Sequence, residues 1–557
     1  MKKSFVDKIK IFMIIILLTL MISVPYLNFD DIGAHDISYH VNRIIEISNE
    51  LKDGQFPVLI HSNLLNGFGY ANSLFYPELF LYIPALLIIV GMDFLNSYKV
   101  FTIIVTFFTF LITFYSANRV FQNRKAAWIT TILYGCSCYR LTNLYIRGAI
   151  GEVLAMSFLP LIVCGLYEII FGENKKWWIL CFGIFGIINS HILTFAMSII
   201  LILLICLINI VKIFKDKKRI LNIFLAGIIS ILLTFSFVLP YLEQTNNDKF
   251  NVDEKIYNGA FLESYSVSLR NLINNDFTSG EEYKSIGLCL LIIPIFIVKC
   301  DKKNQGSKYI KQILILGWIT LFISTNLFPL EELCNKFNSI TTLQFPYRLN
   351  IVATVLLSFA SGYVLCNLLN TKEEVWNLLY IILIIYILTF VSSLNTNVQN
   401  FTRDSIINLA PVGNGEYKPY GLIISDDRIY NITDKKEIPF ERKGRKIEFN
   451  YSNDESEMII HVPLTYYKGY RANIENNGEY KELTVSKHEE TKNVLISSDE
   501  KLAGTIVVEY KMTLAQKIGY AISSLVLFLL IIYSNYCNIK EYMKNKAAMI
   551  YNNENNS

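Results

Sequence analysis

Asp36, His40 and Arg43 stand at positions i, i+4 and i+7, with His35 directly before them. On a helix of 3.6 residues per turn these side chains share one face. A carboxylate can take a proton from a hydroxyl or hold a divalent cation. An imidazole can share either task, and a guanidinium pairs with phosphate. The spacing alone equally suits a capping aspartate followed by a solvated face, and it leaves both readings open. Further along, Arg147 and Glu152 border an apolar stretch. Charges at that depth are costly, so they either face a cavity or snorkel as a mutual ion pair. His191 lies at the tip of an apolar hairpin, where a packing role is the simpler reading. Gln344-Phe345-Pro346-Tyr347-Arg348 opens another apolar segment. There Arg348 could hold a phosphate, and the aromatics could stack on a sugar or line a lipid slot.

These residues sit in a chain built for a membrane. Apolar side chains make up 53% of 557 residues and the mean hydropathy is +0.37, above the range of water-soluble globular proteins. The net charge of +4 is spread over short basic clusters, which excludes a nucleic-acid partner. Ten cysteines lie mostly in apolar stretches, as small buried hydrophobes do, and no CxxC pair suggests a metal site. Walker A, GxGxxG, GxSxG and HExxH patterns are missing, which argues against nucleotide-dependent and metalloprotease chemistry.

The basic clusters set the expected topology. Lys2, Lys3, Lys8 and Lys10 hold the N-terminus in the cytoplasm. No small-x-small pattern precedes Pro25, so the first apolar run is read as a retained span rather than a cleaved signal. The next cluster is Arg119, Arg124 and Lys125, which makes residues 28–96 one long outer loop. Within that loop Leu79–Val90 is short and contains Pro84, so it is expected to be an interfacial helix rather than a span. Residues 35 to about Leu51 are expected to form an amphipathic helix, its Ile37, Val41, Ile44 and Ile45 face lying on the membrane interface. Continued alternation gives about 12 spans.

Three regions follow. Residues 1–392 form a polytopic α-helical membrane domain. Residues 393–512 form a small all-β extracytoplasmic domain, read as a sandwich. Residues 513–557 carry the last span and a cytoplasmic tail. Strands are expected at Lys446–Tyr451, Met458–Tyr466, Asn493–Ser497 and Thr505–Tyr510, between Asn, Gly, Asp and Ser punctuation. His461 and His488 read as ordinary residues of that domain.

His35-Asp36-x-x-x-His40-x-x-Arg43, Asp53-Gly54-Gln55-Phe56-Pro57, Gly67-Phe68-Gly69-Tyr70 and Phe75-Tyr76-Pro77-Glu78-Leu79 resemble bacterial membrane proteins labelled 6-pyruvoyl-tetrahydropterin synthase-related. Arg147-Gly148-Ala149 with Glu152, Ser190-His191 and Gln344 to Arg348 extend the match. Pro463-Leu464-Thr465-Tyr466-Tyr467-Lys468-Gly469-Tyr470 is similar to the outer domain of the related YfhO-like proteins. The architecture looks like the GT-C glycosyltransferases, which carry an acidic residue in a long first outer loop. The soluble pterin enzyme behind the label is a small zinc protein whose features this chain does not reproduce.

The resemblance implies a membrane glycosyltransferase of the cell membrane's outer face. Its donor would be a sugar on a polyprenyl phosphate, and its acceptor a cell-surface glycan, lipid or polymer. Asp36 would be the catalytic base, or would hold a divalent metal ion, and His40 would orient or share the proton. Arg43, Arg147 and Arg348 would meet the lipid phosphate. His35, Glu152, His191, Gln344 and Tyr347 would complete the substrate site. The alternatives are a transporter or flippase, or a non-catalytic scaffold of envelope polysaccharide assembly.

Overall fold

The computed structural model describes residues 2–28, 33–173, 175–254, 257–273, 284–300, 305–369, 373–374, 377, 406–407, 411–424, 426–433, 435–452, 458–476 and 478–554. Asp30 and Asp31 lie outside these residues, as does the expected span around Leu378–Val391.

Six helices among the described residues are long and apolar enough to cross a bilayer: Val6–Leu27, Phe94–Phe121, Ile150–Ile170, Lys217–Asn247, Pro346–Leu368 and Leu514–Lys540. The count of about 12 drawn from charge alternation and span length is not reached among the described residues. The reason is length. Arg124–Gly135 has 12 residues and Trp178–Ile188 has 11, which at about 1.5 Å per residue is well short of a hydrocarbon core of about 30 Å. Apolar character there comes from burial inside the bundle. Every residue of Ala126–Gly135 is buried.

We label the helices that frame the site α1 (Lys2–Asn28), α2 (Ile37–Lys52), α3 (Tyr82–Ile89), α4 (Phe94–Phe121), α5 (Ile150–Ile170), α6 (Ile192–Ile208), α7 (Lys217–Asn247) and α8 (Asn350–Leu368). α5 is the centre of the bundle, packed against α4 and against the Trp178–Ile188 helix. Gly165 makes that second contact close, because a Cβ there would come within 2.7 Å of the Leu180 backbone.

The loop between α1 and α4 departs from expectation. α2 forms where its periodicity predicts a helix. Its Ile37, Val41, Ile44 and Ile47 are at most 1% exposed and belong to the main core, so its apolar face is buried in protein rather than laid on a membrane interface. α3, preceded by a 3-10 turn at Leu79–Leu81, is too short to span, as its Pro84 and length suggest. Its Ile83 and Leu86 side chains point outward.

The C-terminal region is a single nine-stranded antiparallel sheet rather than two stacked sheets. Its strands are β1 (Ile429–Asn431), β2 (Glu437–Ile438), β3 (Glu441–Lys443), β4 (Lys446–Ser452), β5 (Met458–Thr465), β6 (Tyr470–Asn476), β7 (Glu479–Lys487), β8 (Asn493–Ser498) and β9 (Ala503–Tyr510). They run in the order β2-β1-β5-β8-β7-β6-β9-β4-β3. The sheet curls until β2 lies beside β4. Alternation drives this fold: Ile447, Phe449 and Tyr451 point inward on β4, in register with Val508, Ile506 and Gly504 of β9. The core inside the curl also takes in Leu59, Ile60, Ala71, Leu74 and Phe75 of the loop between α1 and α4, with Phe250 beyond α7. Loop and sheet thus share one core, and that sharing positions the site.

Candidate functional site

The site is built where two backbone segments cross. The His35 N–H donates to the Ile146 carbonyl at 3.1 Å, and the Asp36 N–H to the Arg147 carbonyl at 2.7 Å. Gly148 permits the crossing. Its φ is +62°, and a Cβ there would sit 2.8 Å from the Ala34 Cβ. The preceding residues, Asn143–Arg147, form a π-helical turn, a local widening common at functional sites. Gly151 serves a second crossing, because a Cβ there would stand 2.5 Å from the Tyr76 hydroxyl and 3.1 Å from the Ser190 carbonyl. These contacts bring 35–40, 76, 147–152 and 190–191 together.

The result is a cavity of about 860 Å³. His35, Asp36, His40, Arg147, Glu152, His191, Gln344, Tyr347 and Arg348 all line it. Tyr241, Asp253, Tyr257, Glu416 and Tyr417 add walls that the sequence reading did not single out. Their segments carry no charge spacing that would have marked them, and only the shared core with the sheet places them here.

Glu152 organises the cationic side. It binds Arg147 through two oxygens, at 2.7 and 3.2 Å, and Arg348 Nε at 3.0 Å. Asn143 accepts from Arg147 Nη1 at 2.7 Å, and the Gln344 side chain accepts from Arg348 Nη1. The Tyr347 ring lies under Arg147 at 5.3 Å and the Phe345 ring under Arg348 at 4.9 Å. Two guanidiniums share one carboxylate, so the cluster keeps one net positive charge. Asp36 stands at the N-cap position of α2 but makes no capping bond with its side chain. Burial pushes its carboxyl above the usual range, against the pull of Arg147.

Arg43 is the departure. It does not line the cavity. Its guanidinium is buried behind the wall, with Nε 2.8 Å from Glu78 Oε1 and Nη2 2.8 Å from the Pro77 carbonyl. Tyr76 covers it at 4.4 Å. It is therefore committed to Glu78 and cannot also reach a phosphate. Glu78 in turn meets His61 Nε2 at 3.1 Å, Asn72 Nδ2 at 2.7 Å and the Ser73 hydroxyl. Burial alone would raise its pKa, but His61 and Arg43 hold the carboxyl well below the usual range. Glu78 belongs to the Tyr-Pro-Glu run quoted above. Its pairing with Arg43 spans 35 residues, too far for any periodicity to reveal.

The metal role considered for Asp36 meets a donor set of the wrong kind. Among the described residues no three His, Cys, Asp or Glu side chains are grouped to hold an ion. The charges that act most strongly on Asp36 are those of Arg147, Glu152 and Arg348, and the two guanidiniums would compete with a cation.

Residues 45–413 match the family described as bacterial membrane protein YfhO, which covers well over half of the chain. The chain belongs to the YfhO family. The pterin-synthase-related label finds no support beside it. This YfhO protein is 23% identical over 339 residues to an uncharacterized protein of Lactococcus lactis subsp. cremoris (strain MG1363), covering 57% of the chain and 54% of that relative. It thus spans about half the length of the curated relative it matches. Among solved structures it is similar to the arabinofuranosyltransferase AftD from Mycobacteria, with 13% identity, a TM-score of 0.42, and coverage of 70% of this chain and 27% of that one. It is similar also to the oligosaccharyltransferase of Archaeoglobus fulgidus in the apo form, with 10% identity, a TM-score of 0.41, and coverage of 75% and 61%. The archaeal oligosaccharyltransferase AglB, solved with an inhibitory peptide and a dolichol-phosphate, aligns at 11% identity and a TM-score of 0.41 with the same coverage. Arg147, Glu152, His191 and Arg348 fall inside the stretch that matches the YfhO family, while Asp36, His40 and Arg43 fall just before it.

Proposed function

We propose that this YfhO protein is a membrane glycosyltransferase that moves a sugar from a polyprenyl-phosphate-linked donor to a cell-surface acceptor on the outer face of the membrane. One observation carries the reading. A carboxylate free of hydrogen bonds among the described residues, Asp36, shares a cavity with an arginine pair left one charge positive by Glu152. A group transfer from phosphate needs those two functions opposite each other.

In the proposed step Asp36 takes the proton of the acceptor hydroxyl. The acceptor oxygen bonds to the anomeric carbon as the bond from that carbon to the phosphate oxygen breaks. The electron pair stays on the phosphate, and Arg147 and Arg348 neutralise the charge that grows there. Glu152 holds both guanidiniums in place. No step passes through a metal ion.

The test is the glycan composition of a deletion strain complemented with wild type, Asp36→Asn or Arg348→Leu. The reading expects one envelope sugar to be lost in the deletion strain, restored by the wild type, and still missing with either variant at equal protein level. Restoration by Asp36→Asn would leave only a scaffold role, and an unchanged deletion strain would overturn the reading.

A further inference from the structure

Of the three histidines that line the cavity, His40 and His191 each have their protonation fixed by what Nδ1 touches. Arg43 Nη1 lies 3.1 Å from His40 Nδ1. A guanidinium has only donors, so Nδ1 accepts and the ring's proton sits on Nε2. At His191 the Thr194 backbone N–H reaches Nδ1 at 3.3 Å, with Thr194 Oγ1 at 2.8 Å. An amide N–H can only donate, so here too Nδ1 accepts and Nε2 carries the proton. Neither Nε2 has a hydrogen-bond partner among the described residues, and both rings line the cavity. Tyr76 stands between them, its ring centre 6.5 Å from His40 and 6.2 Å from His191.

We propose that His40 and His191 act as a pair of neutral Nε2–H donors to the hydroxyls of the transferred sugar, and that Arg43, Glu78 and His61 form the positioning chain that holds His40 in this state. The proposal rests on the glycosyltransferase reading and divides its cavity in two. The arginines serve the anionic leaving group, and the uncharged donors serve a neutral, hydroxyl-rich ligand. It also removes His40 from the role of base. One ring nitrogen is filled by a guanidinium and the other already holds a proton, which leaves Asp36 as the only acceptor of the pair first read from the sequence. Burial, with the Arg43 charge next, keeps His40 uncharged, and burial holds His191 down to about 3.

The positioning chain is specific in geometry. Arg43 Nε is tied to Glu78 and Nη2 to the Pro77 carbonyl, so Nη1 has one direction left, toward His40. Glu78 Oε1 also accepts from Asn72, and its far oxygen Oε2 is held by His61 and Ser73.

Nitrogen NMR of the full-length protein in nanodiscs, labelled with 15N-histidine, reads the donor state directly. Six histidines make assignment by single substitution practical. At pH 7 the spectra should show a protonated Nε2 and a bare Nδ1 for His40 and His191. An imidazolium or an Nδ1–H ring at either position would overturn the pair. Arg43→Met should mix the tautomers of His40 while His191 keeps its signal, which also reports that the protein is folded, and Arg43→Lys should restore part of the wild-type pattern. An unchanged His40 in Arg43→Met would overturn the positioning chain. Function is read as incorporation of labelled sugar by membranes of the complemented strain. His40→Gln and His191→Gln keep an N–H near the Nε2 position and should stay within about tenfold of wild type, whereas His40→Leu and His191→Leu should lose about a hundredfold or more. A His40→Gln protein as inactive as His40→Leu would overturn the donor role. Wild-type membranes that transfer no sugar would overturn the glycosyltransferase reading and the sugar as occupant, while the nitrogen spectra judge the donor state independently.

Discussion

Asp36 gives the sharpest consequences of single side chains. Its carboxyl is held above the ordinary range, chiefly by burial. A base must be ionised to work, so transfer should fall as pH is lowered through that raised pKa, at a higher pH than an exposed aspartate would give. Arg147 pulls the pKa down, so Arg147→Gln should move the acid limb of the rate profile upward in pH. Stability follows the opposite sign. A carboxyl with a raised folded pKa contributes fully below its unfolded pKa, and that contribution is lost as pH rises through the folded value. Asp36→Asn should therefore raise the melting temperature at neutral pH and leave it nearly unchanged in acid, and a uniform loss would show that the carboxylate is structurally bonded. Glu78→Ala should be far more damaging. It leaves the buried Arg43 without its partner, a change that costs about 3–5 kcal/mol, measured as a loss of thermal stability in detergent. Gly148→Ala should cost about 1–2 kcal/mol from its left-handed backbone alone, with a further cost from the Ala34 contact.

Elements explain what the sequence could and could not disclose. α2 is legible because its apolar residues recur at helical spacing, and β4, β5, β8 and β9 are legible as strand-like runs between Asn, Gly, Asp and Ser punctuation. What its buried faces meet is not legible. Ile37, Val41 and Ile44 look like a membrane-facing stripe, yet they pack into the bundle core, because periodicity reports burial and not the identity of the partner. The same limit hid Arg43, which reads as a phosphate ligand by its spacing from Asp36 but turns to Glu78. Strands β1, β2, β3, β6 and β7 escaped for another reason. The first three are two or three residues long, and β7 is mostly exposed along its length. Cavity walls from Tyr241, 252–254, Tyr257, Gly413, Asn414, Glu416 and Tyr417 were unreadable since they arrive by long-range packing. Tyr417 shows how: it stacks on Phe75 with centroids 5.2 Å apart, and its carbonyl accepts from the Tyr467 hydroxyl at 3.0 Å. Tyr417→Ala should cost roughly 2 kcal/mol, less than a fully buried aromatic, and should loosen the loop against the sheet. Faster limited proteolysis at 411–424 would register it.

The molecule as a whole joins a membrane bundle to a curled sheet through one shared core, and the cavity lies against that junction. The proposed orientation, with the sheet and the cavity outside the cell, rests on the lysines before the first span and on Arg119, Arg124 and Lys125. Glu479→Cys, on an exposed strand, should react with a membrane-impermeant maleimide in intact cells above the background of the native cysteines. Labelling only after lysis would invert the topology and remove the cavity from its proposed substrates. The central claim is that this cavity transfers a sugar with Asp36 as base. Its most direct test is transfer from a radiolabelled polyprenyl-phosphate sugar to an envelope-derived acceptor by purified protein in nanodiscs, compared with Asp36→Asn. The account predicts labelled acceptor with the wild type and none above background with the variant; equal labelling by both proteins would contradict it.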